Sequence, residues 1–251
     1  MTVVEDPARG GHILAQAIEM AHSVVVFTGA GISTESGIPD FRSPNGIWSK
    51  IKPIYFQEFV TSESARLEDW RRRFRFRDEF RAAVPNVAHV AIARMIASGK
   101  AVAVITQNID GLHQRSGVPA DKVIEIHGNA TFATCLDCGR RHELDALEAE
   151  ITRTGTSPRC VACGGLVKAA VISFGQAMPT REMMRAEHAM EEADLFIAIG
   201  SSLQVHPAAD LPLAAKYQGA TLIIVNRDPT PLDAIADHVL RGSIGEVFAA
   251  V

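Results

Sequence analysis

All four cysteines of the chain stand in two Cys-x-x-Cys pairs, Cys135/Cys138 and Cys160/Cys163, with 21 residues between the pairs. Each pair forms a knuckle offering two thiolates. The spacing fits a tetrahedral four-cysteine zinc site, structural because four protein ligands leave no open position for water. No cysteine is left over. Eight residues ahead of the first thiolate stands His127, followed by Gly128, at the end of the short apolar run Val123–Ile126. A metal-stapled module therefore follows closely on a candidate general base, and any fold for this chain must accommodate both.

The remaining chain reads as alternation. Six short apolar runs, rich in β-branched residues, have the character of buried parallel strands: Val24–Thr28, Ala101–Thr106, Val123–Ile126, Ala169–Phe174, Leu195–Ile199 and Thr221–Val225. Helical patterns lie between most of them. Pro85-Asn86 opens one, with Val87, Val90, Ala91 and Met95 on a shared face; Pro179-Thr180 opens another; His206–Tyr217 and Pro231–His238 supply two more. Two stretches interrupt the pattern: the polar, aromatic, arginine-rich residues 45–85 and the cysteine-bearing residues 132–167. The expected fold is α/β, a Rossmann-like doubly wound parallel sheet with a smaller lobe made of the zinc ribbon and a helical insertion. The large lobe comprises 1–44, 86–131 and 168–251, with 45–85 as helical insertion and cofactor loop and 132–167 as the zinc-ribbon module. A cleft between lobes, at the C-terminal ends of the strands, is where such folds bind ligands.

Composition narrows the partners. With 251 residues and 47% apolar content the chain can bury a sizeable core, and its net charge of −4 gives no electrostatic case for nucleic acid. This counts against a zinc-ribbon module that binds nucleic acid. No run approaches a membrane span, and the N-terminus lacks a basic region followed by an apolar one. The expectation is a cytoplasmic protein with no membrane partner, in which paired cysteines bind metal more often than they form disulfides.

The strand ends carry the candidate chemistry. Val24–Thr28 runs into Gly29-Ala30-Gly31, which is either an ordinary tight turn or one that lets backbone N–H groups approach a pyrophosphate. Pro39-Asp40-Phe41-Arg42 follows, a dense loop with a charge pair and an aromatic. Gln107-Asn108-Ile109-Asp110 follows the next strand; its polar groups can cap a helix or position a ribose or an amide. His127 can take a proton near neutral pH or serve as a hydrogen-bonded core residue. Gly200-Ser201-Ser202 and Asn226-Arg227-Asp228 suit adenosine binding, although turn chemistry accounts for them equally well. Seven arginines between Arg66 and Arg81 stand among acids, the pattern of a solvated helix; an arginine reaching into the cleft for an anion is the sharper alternative.

In this order, the segments Gly-Ala-Gly-Ile-Ser, Pro-Asp-Phe-Arg, Thr-Gln-Asn-Ile-Asp, His-Gly, the two Cys-x-x-Cys pairs, Phe-Gly at 174–175, Gly-Ser-Ser and Val-Asn resemble the sirtuin family across residues 28–226. The resemblance implies NAD-dependent removal of acetyl or other acyl groups from protein lysines. NAD is then a consumed co-substrate, nicotinamide and O-acyl-ADP-ribose are the products, and zinc is structural. Protein mono-ADP-ribosyl transfer is the alternative. The resemblance further implies that Gly29, Ala30, Gly31, Asp40, Phe41 and Arg42 hold the diphosphate and nicotinamide ribose. Gln107, Asn108, Ile109 and Asp110 would serve the ribose and nicotinamide pocket, and Gly200, Ser201, Ser202, Asn226 and Ile244 the adenosine site. His127 would be the catalytic base, with Asn108 beside it. Ile172, Phe174 and Gly175 would pair with an acylated-lysine protein segment bound as an extended strand, and a monomer suffices. The chain departs from the family at Ala169-Ala170, where Pro-Asp or Pro-Asn is usual, at Ser173, where an aromatic is usual, and at Gln176, where Glu is usual. Members that remove succinyl or malonyl carry Tyr-x-x-Arg; the nearest match here is Phe74-Arg75-Phe76-Arg77, which offers Arg77 as partner for an acyl carboxylate.

Overall fold

The computed structural model describes residues 2–44 and 46–251; Met1 and Asn45, where two of the expected segments begin, lie outside the described residues. In chain order the strands are β1 (Thr2–Val4), β2 (Val24–Thr28), β3 (Ala101–Thr106), β4 (Val123–Glu125), β5 (Gly128–Cys135), β6 (Arg141–His142), β7 (Val167–Val171), β8 (Leu195–Ile199), β9 (Thr221–Val225) and β10 (His238–Leu240). The helices are α1 (Pro7–Met20), α2 (Phe56–Thr61), α3 (Glu63–Ala82), α4 (Val87–Ala97), α5 (Leu112–Arg115), α6 (Leu144–Thr154), α7 (Thr180–Glu191), α8 (Asp210–Tyr217) and α9 (Ile244–Phe248).

Seven strands form one parallel sheet in the order β1-β10-β9-β8-β2-β3-β4. Its central strands are buried on both faces, as unbroken apolar runs require. One face packs on α1, α4 and α9 through a cluster that includes Leu14, Ile92 and Phe248; the other packs on α7 and α8 through Phe27, Met190, Phe196 and Leu211. Local signals set the helix starts. Asp6 caps α1 by accepting from Ala8 N–H at 2.9 Å ahead of Pro7, and Asn86 caps α4 by accepting from Ala88 N–H at 3.1 Å. The strand order reverses beside β2, with β3 on one side and β8 on the other. This switch point opens a crevice at the strand C-termini.

A second sheet, β6-β5-β7, is antiparallel and has three strands. It shares a small core with α3 and α6 made of Trp70, Ala133, Cys135, Leu144, Leu147 and Val167. The structure corrects one expected core strand here. The run placed at Ala169–Phe174 is β7, ending at Val171, and it pairs with β5 rather than joining the parallel sheet. An apolar run alone does not name its partner; the zinc knuckle at Cys160–Cys163 delivers this one beside the strand that ends at Cys135. Three smaller corrections follow. Pro231–His238 is a short turn of 3-10 helix at Asp233–Ile235 leading into β10, whose pairing with β9 and β1 outweighs helix propensity. The helix expected from His206 begins only at Asp210. The buried stripe of α4 is Ala88, Ala91, Ile92, Met95 and Ile96, while Val87 and Val90 face outward.

Ile197 is fully buried in β8, at the middle of the sheet. Ile197→Ala is expected to cost about 2–5 kcal/mol of unfolding free energy, read as a lower urea midpoint at unchanged slope.

Candidate active site

One cleft of about 1700 Å³ runs along the C-terminal edge of the parallel sheet, between it and the α2–α3 and three-stranded-sheet lobe. It exceeds the roughly 300–1,000 Å³ of a drug-sized pocket. It gathers, as wall residues, every cofactor, catalytic and substrate residue expected from the sequence: Gly29, Ala30, Gly31, Asp40, Phe41, Arg42, Gln107, Asn108, Ile109, Asp110, His127, Ile172, Phe174, Gly175, Gly200, Ser201, Ser202, Asn226 and Ile244. Positions more than 200 residues apart in sequence thus face one space.

The floor is built at the switch point. Gly31 N–H donates to the Gly200 carbonyl at 2.8 Å, and Gly29 N–H donates to that of Ile199 at 3.0 Å. A Cβ on Gly29 would lie 2.7 Å from the Gly200 oxygen, and one on Gly31 would lie 2.8 Å from Gly200 Cα. These glycines therefore let two strand-end turns touch backbone to backbone. Above them Asn108 is buried and donates from Nδ2 to the Gly29 carbonyl and to Ser33 Oγ, both at 3.1 Å. Ser33 Oγ donates in turn to Asp110 Oδ2 at 2.8 Å, and Leu112 N–H donates to Asp110 Oδ1 at 2.9 Å. Burial raises the Asp110 pKa against the pull of these donors. Gln107 Nε2 donates to Ser201 Oγ at 2.8 Å, linking the amides after β3 to the hydroxyl after β8.

His127 Nδ1 lies 3.1 Å from the Gln107 carbonyl oxygen. A carbonyl only accepts, so Nδ1 carries the proton and Nε2 keeps a free lone pair. Burial, with a further push from the Arg42 charge, lowers the His127 pKa against the opposing carbonyl. The imidazole is thus oriented on the cleft wall, and its neutral form offers Nε2 as a proton acceptor. Arg42 is its electrostatic counterpart. Desolvation lowers its pKa, and no ion pair among the described residues includes it. A cation on a cleft wall without a carboxylate suits an anionic ligand. Asp40 is occupied locally: its Oδ1 accepts from Arg42 N–H at 3.0 Å and Ser43 N–H at 2.8 Å, which folds the loop.

The far wall is the segment after β7. Ile172 N–H donates to the His127 carbonyl at 2.9 Å. Gln176 closes a turn on Ser173, accepting from its N–H at 3.1 Å through Oε1. The amide oxygen supplies this acceptor, so the turn needs no carboxylate at 176. Phe174 stands 5.9 Å from both Trp48 and Tyr55, and Trp48 stands 5.2 Å from Phe41, so one aromatic row ties this segment to the Asp40–Arg42 loop. The arginines of α3 that reach the cleft are already engaged. Arg72 binds Glu68 at 2.6 Å, Arg73 binds Asp69 at 2.7 Å, and Arg77 binds Glu148 at 2.7 Å and Asp145 at 3.1 Å. Arg77, the nearest match to an arginine for an acyl carboxylate, is thus held by two carboxylates of α6.

Sequence reasoning missed several supporting residues. Ser33 joins Asn108 to Asp110. Glu125 Oε1 accepts from Asn129 Nδ2 at 2.7 Å and Gln114 Nε2 at 2.8 Å, bracketing His127 from both sides in sequence. His113 Nε2 lies 2.9 Å from Thr28 Oγ1, which donates to Thr106 Oγ1 at 2.8 Å beneath the floor. A carboxylate two residues before a candidate base is a signal that was available for Glu125; only topology brings His113 under β2 and β3.

The cysteine sulfurs all lie within 4.8 Å of one another, with Cys135 and Cys163 3.5 Å apart and Cys138 and Cys160 3.6 Å apart. Tetrahedral zinc with Zn–S near 2.3 Å sets its thiolates roughly 3.8 Å apart, so the cluster suits a structural zinc.

The Sir2 family model matches residues 29–207 of this chain. A protein from Rhodopseudomonas palustris named NAD-dependent protein deacetylase is 55% identical over 235 residues, covering 94% of this chain and 93% of its own length. NAD-dependent protein deacetylase 1 of Bradyrhizobium diazoefficiens is 52% identical over 246 residues, covering 98% and 96%. A solved structure described as a Sir2-p53 peptide-NAD+ complex superimposes with a TM-score of 0.83 at 35% identity, covering 94% of this chain and 95% of that one.

Two outcomes test this description. Cys135→Ala is expected to abolish stoichiometric zinc, measured with a chromophoric chelator, and to remove hydrogen-exchange protection from β5 and β7 before the parallel sheet. Burial holds His89 and His113 at pKa values of about 4 and 3. Between these values and about 6.5 the unfolded chain binds more protons, so their contribution is complete above about pH 6.5 and is lost as pH falls toward 3. Unfolding free energy from urea titrations should drop across pH 6.5 to 4, at up to about 1.4 kcal/mol per pH unit for each imidazole.

Proposed function

The chain belongs to the Sir2 family and is an NAD-dependent protein deacylase, and we propose that His127 is the base of that reaction. The observation that carries this role is its fixed tautomer, with Nδ1 on the Gln107 carbonyl and a free Nε2 on the cleft wall. Its relatives carry deacetylase and deacylase names, which favours acyl removal over ADP-ribosyl transfer.

NAD, when bound, would supply the ribose carbon that the acyl oxygen attacks as nicotinamide leaves, and the hydroxyl that takes the acyl group as water adds and the lysine amine departs. The donor set fits it. Arg42 offers a cation unpaired among the described residues for a diphosphate, Asn108 and Asp110 stand on the cleft floor for ribose and carboxamide, and Ser201, Ser202, Asn226 and Ile244 line the end toward β8 and β9. Gly29, Ala30, Gly31, Asp40 and Phe41 shape the loop around Arg42, and Gln107 and Ile109 flank Asn108. The neutral His127 draws a proton from a ribose hydroxyl at Nε2, and the Gln107 carbonyl steadies the resulting imidazolium at Nδ1.

Ile172, Phe174 and Gly175 receive the acylated-lysine segment as an added strand, with backbone groups setting affinity and side chains adding little sequence demand. Among the described hydrogen bonds, Phe174 and Gly175 leave their N–H groups unused. The three-stranded sheet, held by zinc at Cys135, Cys138, Cys160 and Cys163, fixes this wall. In this reading the lobes divide at 1–44, 86–131 and 168–251 against 45–85 and 132–167, and the chain works as a cytoplasmic monomer without a nucleic-acid partner. No helix among the described residues is long and apolar enough to cross a membrane.

The test is mass spectrometry of acetyl-lysine peptide incubated with NAD. His127→Ala is expected to lose about 10²–10⁴ in kcat/KM while keeping its zinc. Because burial holds the His127 pKa below the ordinary histidine value of 6.5, the acid-side midpoint of wild-type kcat/KM should fall below pH 6.5. A wild-type rate independent of NAD, or a His127→Ala rate equal to wild type, overturns the proposal.

A further inference from the structure

We infer that Lys168 is a positioning residue for the acyl-peptide wall: its buried amine holds the carbonyl of Val171, and through it the Ile172–Gly175 backbone against His127. The inference rests on the proposed strand mode of peptide capture.

Lys168 is 1% exposed and is the only lysine buried among the described residues. It lies in β7 opposite Thr134 of β5. Its Nζ donates to the Val171 carbonyl, three residues on, where β7 ends. The surroundings do not make it an ion pair. The acid whose charge acts on it is Asp69 of α3, and both of that residue's carboxylate oxygens accept from Arg73, at 2.7 and 3.2 Å. From α2 the ring of Phe59 approaches Nζ with its centroid at 5.8 Å. Burial lowers the lysine pKa to about 7, and either protonation state keeps an N–H for Val171.

A buried amine lacking a carboxylate of its own is costly, and an aliphatic side chain of similar length would fill the same space without that cost. The one feature an aliphatic chain lacks is the donor, and the donor goes to a single acceptor. That acceptor sits at a junction. Val171 stands opposite Gly128, and the next residue, Ile172, donates to the His127 carbonyl at 2.9 Å. Turning the Val171–Ile172 peptide would release that bond and swing Phe174 and Gly175 away from the base. Lys168 is not among the cleft-wall residues and, among the described hydrogen bonds, its amine reaches only Val171, so it acts through Val171.

The test compares wild type, Lys168→Met and Lys168→Arg. KM for an acetyl-lysine peptide, the NAD-induced shift in melting temperature, and the melting temperature itself are measured for each. Lys168→Met should raise peptide KM about tenfold with kcat and the NAD shift little changed, and with the melting temperature held or raised. Lys168→Arg should restore most of the peptide KM. A Lys168→Met protein with wild-type peptide KM overturns the inference, as does a loss that Arg fails to restore and that comes with a lower melting temperature and no NAD shift. A second peptide, N-methylated on the residues flanking acetyl-lysine, separates the premise. If wild type uses it as well as the parent, strand capture falls and this role of Lys168 with it. If wild type rejects it and Lys168→Met still takes the parent peptide normally, only the Lys168 inference falls.

Discussion

A backbone clasp between two turns holds this molecule's working parts in register. Ile172 N–H donates to the His127 carbonyl, and Gly128 stands opposite Val171. On one side of the clasp is the end of β4 in the parallel sheet, and on the other is the end of β7 in the small sheet. The approach is so close that a Cβ on Gly128 would fall 2.0 Å from the Ala170 oxygen, at a φ of +78° that side-chain-bearing residues rarely adopt. Only glycine permits it. The residue before that glycine is thereby fixed at the seam of two sheets, facing the cleft they enclose.

The chemistry of the site depends on how polar groups are supported away from water. His127, Asn108 and Asp110 are each held by partners that only tertiary contact supplies: a strand-end carbonyl, a glycine carbonyl and a serine hydroxyl. Satisfied in this way, buried polar groups rigidify a site instead of destabilising it. Arg42 differs: it is solvent-exposed and has no acidic partner among the described ion pairs, which leaves its charge available to an anion. The arginines of α3 show the opposite arrangement. They line the same cleft, yet their charge is spent on Glu68, Asp69, Asp145 and Glu148, so they brace α3 against its own acids and α6.

The legibility of this fold varied with what each signal specified. Val24–Thr28, Ala101–Thr106, Leu195–Ile199 and Thr221–Val225 were readable to the residue, because a strand buried on both faces must be apolar throughout and is bounded by polar turns. The segment Val167–Val171 was equally apolar but belongs to another sheet, since hydrophobicity records burial and not partner or direction. Short strands such as the edge strand Thr2–Val4 and its neighbour His238–Leu240 carry too few residues to show a period, and pairing alone makes them strands. Among site residues, glycines, amides and the histidine at strand ends stood out because few structural needs place them there together. Lys168 and His113 did not, for a lysine or histidine in sequence gives no sign that it will be buried.

The sequence by itself determined the two-knuckle cysteine module, the parallel α/β alternation and the set of polar residues at strand ends, because each follows from local spacing and composition. Tertiary structure decided the rest. It chose which nitrogen of His127 is free, left Arg42 without a carboxylate among the described residues while giving Arg77 two, and set β7 against β5. These depend on what approaches a side chain from distant parts of the chain, and that approach is fixed only when both sheets and the cleft between them have formed.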